Sequence, residues 1–377
     1  MNNYVKDILQ DDFWIMPQTP EYIEEGIPYI TSKNIKNGKI DFSKVNYISQ
    51  EAFEKISKNR PILVGDILIS MIGTLGETAE VTLNDGVFYG QNMFLVRLDE
   101  TKVDKRYFLN YFKSNFVARA LAEKQNQSTQ KYLKANHIED LQIPIPTLAQ
   151  QKKIAGVLDK INELIFYRKQ QLQQLDELVK ARFVEMFGDP ILNQKGFPVY
   201  RMDEVVEFQG GSQPDKKYFE YEPTEDNIRL IQIRDYKTDK YITYIPKSMA
   251  KRFCTADDIM IGRYGPPIFQ ILQGIEGSFN VALMKATPKM GNREFIRQFL
   301  KQDCLLEYLE GLSKRTAGQD GIQMDKLKEY PFPMPPIELQ NQFATFVEQV
   351  DKSKFAVQKA LDEAQTLFDS LMQEYFG

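Results

Sequence analysis

Histidine and cysteine are almost absent from this chain of 377 residues, which holds one histidine, His137, and two cysteines, Cys254 and Cys304. A zinc-hydrolase site built from two or three imidazoles is therefore excluded, and so is a histidine-metal nuclease. Two cysteines make neither a disulfide framework nor a metal cluster, and we expect two inert thiols in a reducing cytoplasm. His137 lies in a polar segment, where a surface or packing role is the simplest expectation.

Long hydrophobic runs are also missing. The best stretch, from Ile62 to Ile72, is interrupted by Asp66 and is far shorter than the ~20 apolar residues that cross a bilayer. The first residues lack the basic head and apolar core of a secretory signal, so we expect a cytoplasmic protein with no membrane partner. With 42% apolar and 27% charged residues, the composition is that of a globular protein, and the length suggests roughly two or three domains.

An excess of positive charge, the usual sign of a nucleic-acid-binding protein, is absent because the formal net charge is -4. The acidity is concentrated in residues 331–377, which carry three basic and seven acidic side chains. Residues 147–190 and 191–330 each have a net charge of +1. The overall charge therefore does not exclude a local basic groove.

An internal repeat organises the sequence. Adding 189 to the residue number maps Pro146 onto Pro335 and Phe187-Gly188 onto Phe376-Gly377, with no gap between these points. A constant offset over such a length rarely arises by chance. The sequence therefore predicts a globular unit, a long helix, a second globular unit and a second long helix, with bounds 1–146, 147–190, 191–335 and 336–377.

The two helical segments carry an apolar residue at alternating spacings of four and three, which is the pattern of a seam shared by two helices. Helices of 35–40 residues would be about 55 Å long and are not stable alone in water. We therefore expect an intramolecular antiparallel coiled coil, the alternative being that each helix lies on its own domain. The seam positions are Ile154, Leu158, Ile161, Ile165, Leu172, Leu175 and Val179 in the first helix and Phe343, Val347, Val350, Val357, Leu361, Ala364, Phe368 and Leu371 in the second.

The two globular units are predicted to be strand-rich with short helices, giving an α+β fold of two similar units separated by the paired helices. Short β-branched and aromatic runs indicate the strands, and amphipathic spacing indicates the helices. The predicted strands are 67–72, 87–89, 93–98, 228–233, 241–245 and 258–264, and the predicted helices are 107–124 and 293–312.

Three motifs give the sequence a family resemblance. They are Met186-Phe-Gly-Asp-Pro190 after the first long helix, Gly262-Arg-Tyr-Gly265 after an Asp-Asp-Ile strand, and Pro-x-Pro-x-x-x-x-Gln opening both helices. Together with the two-repeat layout they resemble the specificity subunit of type I DNA restriction-modification systems over essentially the full chain. In one respect the chain departs from a perfect repeat: we expect the first unit to be abbreviated at its start, because Phe208-Gln-Gly-Gly-Ser212 has no good counterpart there.

This resemblance implies that each globular unit is a target-recognition domain reading one half of a split, asymmetric sequence in double-stranded DNA. The helices would set the spacer and dock two modification (methyltransferase) subunits, with restriction (helicase-nuclease) subunits joining the complex. The subunit would have no chemistry and no cofactor of its own. S-adenosylmethionine, ATP and Mg²⁺ would belong to the partner subunits.

Candidate DNA-binding residues are polar side chains near predicted strand ends, since Arg, Lys, Asn and Gln read base edges while Ser, Thr and cations hold phosphates. Thr31-Ser-Lys-Asn34 and Gln232-Ile-Arg-Asp235 occupy matching places in the two units but differ in side chain, as expected if one scaffold reads two sequences. Arg263, Gln232 and Arg234 are the strongest candidates, and we expect about half of the set to be solvated loop residues. The set is Thr31, Ser32, Lys33, Asn34, Thr74, Asn92, Thr129 and Gln130 in the first unit and Gln213, Arg229, Gln232, Arg234, Tyr236, Arg263, Tyr264, Arg315 and Gln319 in the second.

Two alternatives stay open at this point: a self-contained DNA nuclease and a coiled-coil scaffolding protein. Asp85 with Glu100-Thr-Lys102 superficially supplies nuclease carboxylates and a lysine. An adenine methyltransferase is disfavoured because Gly265-Pro-Pro-Ile268 lacks both the amide or carboxylate and the ring that such enzymes use. No glycine-rich cofactor loop and no Walker loop is present.

Overall fold

The computed structural model describes residues 3–72, 75–126, 133–264, 268–313 and 322–377, and the chain divides into two units. Unit 1 comprises Met1–Lys169 and Lys359–Gly377, and unit 2 comprises Gln170–Gln358. Because these boundaries fall inside the two long helices, each helix contributes part of its length to each unit. Among the described residues, no helix is both long and apolar enough to cross a membrane.

Unit 1 contains a four-stranded antiparallel sheet of order β2-β10-β7-β8 and a three-stranded sheet of order β6-β3-β9, in which β3 and β9 are parallel. Two strand pairs, β1-β11 and β4-β5, complete it. The strands are β1 (Asn3–Tyr4), β2 (Leu9–Ile15), β3 (Ile27–Thr31), β4 (Ile35–Lys36), β5 (Lys39–Ile40), β6 (Asn46–Ile48), β7 (Ile67–Ser70), β8 (Thr78–Glu80), β9 (Tyr89–Gln91), β10 (Met93–Leu98) and β11 (Gln142–Ile143). The helices are α1 (Gln50–Ser57), α2 (Lys105–Phe112), α3 (Asn115–Asn126), α4 (Ala135–Glu139) and the first part of α5 (Leu148–Phe187).

Unit 2 repeats this topology. Its four-stranded sheet has the order β13-β20-β17-β18, and its second sheet has the order β15-β14-β19-β16 with β14 and β19 parallel. The strands are β12 (Val199–Arg201), β13 (Val206–Gly210), β14 (Asn227–Ile231), β15 (Tyr244–Pro246), β16 (Phe253–Cys254), β17 (Ile259–Gly262), β18 (Gln270–Gln273), β19 (Gly277–Phe279), β20 (Leu283–Pro288) and β21 (Pro331–Pro333), which pairs with β12. The helices are α6 (Met202–Val205), α7 (Arg293–Leu300), α8 (Asp303–Ser313), α9 (Met324–Glu329) and α10 (Ile337–Phe376), which ends in unit 1.

The central strands β7 and β17 show why the sequence forms these sheets. All four residues of each strand are buried, so each strand reads as a continuous apolar run rather than an alternating one. Each pairs on both sides with an antiparallel neighbour, which satisfies its backbone hydrogen bonds. The α+β prediction with two similar units is confirmed.

The long helices pair within each unit as the seam predicts. In unit 1, Ala155 and Leu158 near the start of α5 share a core with Met372 and Phe376 at the end of α10. In unit 2, Val179 and Phe183 near the end of α5 share a core with Phe343 and Val347 near the start of α10. The start of one helix meets the end of the other in both units, so the pairing is antiparallel, as predicted.

A charged residue in the seam is accommodated by ion pairing. Lys354 occupies an apolar seam position of α10, and its ammonium contacts the carboxylates of Asp176 on α5 and Asp351 on α10. The lysine stem covers apolar surface while the charged end stays partly exposed. This explains how the seam continues through a polar position.

Each short amphipathic helix predicted from the sequence is in fact two helices. The prediction of one helix over 107–124 is wrong, since α2 ends at Phe112 and α3 begins at Asn115. The backbone N–H groups of Lys113 and Ser114 donate to carbonyls three residues earlier, which ends the first helix. The Ser114 hydroxyl then accepts a hydrogen bond from Val117 N–H at 3.3 Å and caps the start of the second helix. The predicted helix over 293–312 divides in the same way into α7 and α8. Amphipathic spacing continues through such a short break, which hides it from periodicity.

The prediction that the first unit is abbreviated at its start is wrong, as the strand register shows. β2 lies against β10 with Trp14 opposite Phe94, and β13 lies against β20 with Gly210 opposite Met284. Since Phe94 and Met284 hold the same place in their sheets, opposite Ile69 and Ile261, Trp14 is the counterpart of Gly210. The counterpart therefore exists, but the sequence conceals it because unit 1 has a tryptophan where unit 2 has a glycine.

Candidate nucleic-acid interface

A strand followed by a single 3₁₀ turn presents the predicted reading segment in both units. In unit 1, β3 leads into the turn Ser32–Asn34, and in unit 2, β14 leads past Gln232 into the turn Ile233–Tyr236. In each turn, the backbone N–H of the residue that precedes the turn donates a hydrogen bond to the side chain three residues later. Thr31 N–H donates to Asn34 Oδ1 at 2.9 Å, and Gln232 N–H donates to Asp235 Oδ2 at 3.1 Å. The matching places predicted for these two segments are therefore equivalent in structure.

In unit 2 the turn brings Gln232 and Arg234 together on one hydroxyl. Thr243 Oγ1 accepts from Gln232 Nε2 and from an Arg234 terminal nitrogen, each at 3.0 Å. Thr243 itself is fully buried, whereas the Arg234 side chain is 46% exposed and lies over the ring of Tyr241 at 6.0 Å. The two side chains are thus held side by side at the surface by a buried anchor.

Arg229 has a mainly internal role. Its guanidinium lies 3.7 Å from Asp235 Oδ2 and 3.1 Å from Asp239 Oδ1, and its side chain is largely buried. Burial raises the pKa of Asp235, while the Gln232 amide and the Arg229 and Arg234 charges act in the opposite direction. Arg229 therefore supports the carboxylate that caps the turn.

Tyr236 also faces inward. Its ring packs against the small core of Ile231, Cys254 and Phe279, and its buried hydroxyl has no hydrogen-bond partner among the described residues. Burial raises the pKa of this hydroxyl. The structure places Tyr236 beneath the turn, apart from the half-buried Gln232 and the exposed Arg234.

Arg263 and Tyr264 lie beside the same turn. Gly262, just before Arg263, approaches Ile233 so closely that a Cβ at this glycine would lie 2.8 Å from the Ile233 Cδ1 atom. The backbone N–H of Arg263 donates to the Ala282 carbonyl at 2.9 Å, and its guanidinium lies 5.4 Å from the Tyr264 ring centroid. A terminal nitrogen of the guanidinium donates to the Val281 carbonyl at 3.4 Å, and no described residue accepts a hydrogen bond from its buried Nε.

Gln213 follows a glycine pair that closes this end of unit 2. Gly211 N–H donates to the carbonyl of Leu283 at 3.1 Å, and Ser212 N–H donates to that of Phe279 at 3.1 Å. A Cβ at Gly211 would lie 1.9 Å from the Asn280 carbonyl oxygen, so only glycine fits there. Gln213 is exposed, and its amide contacts only the adjacent Pro214 carbonyl among the described residues.

In unit 1 most candidates use their hydrogen bonds inside the protein. Ser32 Oγ donates to the Asn92 carbonyl and accepts from Met71 N–H at 3.3 Å. Buried Asn34 accepts from Thr31 Oγ1 at 3.3 Å and donates to the carbonyls of Asp41 and Lys44. Lys33, at the place of Arg234, is exposed. Ser32 and Asn92 therefore join the turn to the ends of β7 and β9, and Lys33 is the member of the turn that faces solvent.

Asn92 has a positive φ of 63° that turns the chain from β9 into β10. Five further candidates lie outside the described residues: Thr74, Thr129, Gln130, Arg315 and Gln319.

The sequence analysis missed Thr243, Asp235 and Tyr241 as parts of this site. Asp235 could have been predicted from the sequence, because an acidic side chain three positions after the residue that opens a turn commonly accepts a hydrogen bond from that residue's backbone N–H. Thr243 and Tyr241 fell within a predicted strand over 241–245, but the strand β15 begins only at Tyr244. No local pattern marks a threonine that two side chains share.

The residues proposed for a nuclease do not form a metal site. Asp85 caps a turn by accepting from Thr82 N–H at 2.6 Å, and Lys102 pairs with Asp99 at 3.2 Å. Within the described residues, no group of three or more His, Cys, Asp or Glu side chains could hold a metal ion. His137 Nδ1 accepts from Lys134 N–H at 3.3 Å at the start of α4.

Comparisons with known proteins assign the family. The model of the type I restriction modification DNA specificity domain matches residues 16–177 and again residues 194–364. The chain therefore belongs to this family and carries its domain twice, as the resemblance predicted.

Similar proteins align with nearly the whole chain. The chain is 22% identical to the type I restriction enzyme MjaVIII specificity subunit of Methanocaldococcus jannaschii, covering 92% of this chain and 86% of that protein. It is 21% identical to the EcoKI specificity subunit of Escherichia coli K12, covering 94% and 82%. The crystal structure of the S subunit of a type I restriction-modification system from M. genitalium shares the fold, with a TM-score of 0.58 at 14% identity over 100% of this chain and 96% of that one.

Proposed function

We propose that this protein is the non-catalytic specificity subunit of a type I restriction-modification complex and reads a bipartite, asymmetric site in double-stranded DNA. Its recognition domains would be residues 1–146 and 191–335, with helical spacer regions at 147–190 and 336–377. The partners would be two modification (methyltransferase) subunits and restriction subunits. These partners would bind S-adenosylmethionine, ATP and Mg²⁺ and carry out the chemistry.

One observation carries the proposal: two equivalent turns on one scaffold present different side chains. Unit 2 offers Gln232 and Arg234 on Thr243, and unit 1 offers the exposed Lys33 at the place of Arg234, while Thr31 at the place of Gln232 donates to Asn34. Glutamine and arginine are the side chains that read adenine and guanine edges in the major groove. Two copies of a scaffold with different readers suit a site whose two halves differ in sequence.

The geometry of unit 2 also favours recognition of base edges over contacts with the DNA phosphate backbone alone. Gln232 and Arg234 are oriented before DNA binds, which reduces the side-chain entropy lost on association. Arg263 adds a third group next to the same turn. A net charge of -4 leaves little long-range attraction for phosphates, so specific contacts of this kind must supply much of the discrimination.

The experiment that tests this proposal compares single variants in the assembled methyltransferase complex. Arg234→Ala and Arg263→Ala should each relax one base position in one half-site, costing about 1–3 kcal/mol there, if each arginine makes a bidentate guanine contact. Methylation of a library with randomised half-sites measures this. Arg201→Ala is the matched control, since Arg201 is exposed in unit 2 and its guanidinium pairs with the nearby Asp203 at 3.0 Å.

An equal loss of methylation across all sequences would make the mutated arginine a phosphate anchor. Unchanged letters and unchanged affinity for both variants would remove this surface of unit 2 from DNA recognition.

A further inference from the structure

Unit 1 differs from unit 2 at the three places that hold the strongest candidates for base recognition in unit 2. Thr31, at the place of Gln232, uses its hydroxyl within its own turn. Met71 directly follows β7, as Arg263 directly follows β17, but Met71 is fully buried. Of the three unit 1 residues at these places, only Lys33 is exposed. Unit 1 therefore needs a further side chain if its specificity is to match that of unit 2.

Gln91, the last residue of β9, lies beside Thr31, its partner in the parallel pairing of β3 and β9. Unit 2 has Asn280 at this place, directly after the residue of β19 that pairs with Ile231. Asn280 is buried, and its Oδ1 accepts from the backbone N–H two residues later at 3.1 Å. The two units thus use the same place differently, because Gln91 is half-buried and its side chain takes no part in such a turn.

Two hydroxyls hold one end of the Gln91 side chain. Its Oε1 accepts from Thr19 Oγ1 at 3.1 Å and from the Tyr29 hydroxyl at 3.5 Å. Burial raises the pKa of the Tyr29 phenol, which keeps this hydroxyl protonated and able to donate. Unit 2 has Leu230 at the place of Tyr29, so this arrangement belongs to unit 1. Among the described residues, none accepts a hydrogen bond from Gln91 Nε2, so both of its hydrogens can serve a ligand.

Gln91 and Gln232 are held by opposite ends of their side-chain amides. Gln232 is held through Nε2, which donates to Thr243 Oγ1 at 3.0 Å, whereas Gln91 is held through Oε1. Gln232 therefore offers an acceptor, and Gln91 offers a donor. In the major groove, guanine presents two adjacent acceptors, N7 and O6, whereas cytosine presents only an amino donor. Adenine has an amino donor beside its N7 acceptor, and thymine has a methyl group beside its O4 acceptor, so a fixed amide donor suits guanine best.

We propose that Gln91 determines specificity in unit 1 by donating from Nε2 to the N7 and O6 atoms of a guanine in its half-site. This inference rests on the proposed function and deepens it, because it assigns a base and a hydrogen-bond direction to a residue outside the turn. Thr19 and Tyr29 are positioning residues: they occupy Oε1, so that the side chain meets DNA with its donor rather than its acceptor.

The test uses the assembled methyltransferase complex and a DNA library that is randomised at both half-sites. Gln91→Ala should lower the preference for guanine about tenfold at one position of one half-site, because the amide donor is lost. Gln91→Glu keeps the shape and the acceptor for Thr19 and Tyr29 but replaces the donor by a carboxylate oxygen. The preferred base at that position should then change from guanine to cytosine, whose N4 amino group donates to carboxylates.

Two further variants separate base recognition from other effects. Gln10→Glu makes the same change of charge on an exposed side chain of β2, five residues and about 17 Å before Ile15, whose carbonyl accepts from Asn92 N–H. It should leave every preferred base unchanged. Thr19→Val removes one hydroxyl that holds Oε1, so the guanine preference should fall several-fold. Retention of the other half-site by each variant confirms that the complex is folded and assembled.

The Gln91 proposal is overturned if the Gln91→Glu and Gln10→Glu complexes prefer the same bases, or if Gln91→Ala lowers methylation equally for all sequences. A parent preference for cytosine at the position that Gln91→Ala relaxes would also overturn it, because cytosine offers no acceptor there. In each of these cases the parent complex still recognises two half-sites, so the proposed function stands. A parent complex without a bipartite preference would overturn the proposed function and this inference together.

Discussion

Thr243 is the residue on which the proposed reading surface of unit 2 depends. Its buried hydroxyl accepts from both Gln232 and Arg234, so two flexible side chains share one fixed point. Each of these hydrogen bonds is worth about 0.5–1.5 kcal/mol in a folded protein. That is strong enough to orient the two side chains and weak enough to be exchanged for a base edge.

Replacing Thr243 by valine should loosen recognition while keeping the shape of the site. The variant loses the acceptor for Gln232 and Arg234, so we expect about 1–2 kcal/mol less discrimination in the half-site read by unit 2. The measurement is methylation of the randomised half-site library by the assembled complex. Thr243→Ser keeps the hydroxyl and should behave like the parent protein; a Thr243→Val complex with unaltered discrimination would show that the shared hydroxyl has no part in reading.

Two buried glutamines fix the start of the long helices. Gln151 Oε1 accepts from Asp104 N–H at 2.8 Å, and its amide donates to the carbonyls of Lys102 and Pro146. Gln340 repeats the arrangement by accepting from Asn292 N–H at 2.7 Å. Asp104 and Asn292 are the residues that cap α2 and α7, so each glutamine ties a long helix to the short helix beside it.

Removing one of these side chains should be costly. Gln151→Ala removes a buried side chain and leaves a part-buried amide and two part-buried carbonyls without it, and we expect about 1–3 kcal/mol less stability. The midpoint and slope of urea unfolding measure the change. Lys152→Ala, at the exposed neighbouring position, serves as the control and should change stability by less than about 0.5 kcal/mol. Equal midpoints for the two variants would contradict a structural role for Gln151.

At the level of elements, the sequence predicted the long helices best. Their seams are repeated many times, so a single polar position such as Lys354 does not obscure the pattern. The short helices were harder, because the breaks at Lys113-Ser114 and at Lys301-Gln302 depend on local capping that leaves the amphipathic spacing unchanged. The strand near Tyr241 was placed too early, since β-branched and aromatic residues also occur in the turn that precedes β15.

The length of the paired helices should determine the gap between the two half-sites. Inserting one heptad at matched positions of 151–181 and 340–370 keeps the seam in register and adds about 10 Å of helix, close to three base pairs of DNA. We expect methylome sequencing to find both half-sequences unchanged with a longer spacer. Altered half-site letters with an unchanged gap would refute the idea that the helices act as a ruler.

A matched control separates spacing from helix damage. Replacing seven exposed residues of the same segments by alanine keeps the length and the seam, so it should leave the spacer unchanged.

For the whole molecule, duplication explains what the sequence could and could not predict about the site. The repeat predicted that the two proposed reading segments are structurally equivalent, and their backbones do follow the same strand and turn. It did not show which polar side chains are used internally, as Ser32 and Asn34 are in unit 1 and Arg229 is in unit 2. Ser32 bonds to Asn92, which is far away in the sequence, whereas Asn34 and Arg229 bond to residues six to ten positions further on that no local pattern marks.

The central claim, that two separate units read two halves of one DNA site, is tested most directly by exchanging residues 191–335 for the corresponding unit of a related specificity subunit. Single-molecule methylation mapping of a host carrying the chimera gives the recognised sequence. The account predicts one altered half-site, the other half-site retained and the spacer unchanged. A complex whose two half-sites both change, or whose recognised sequence stays the same, would contradict it.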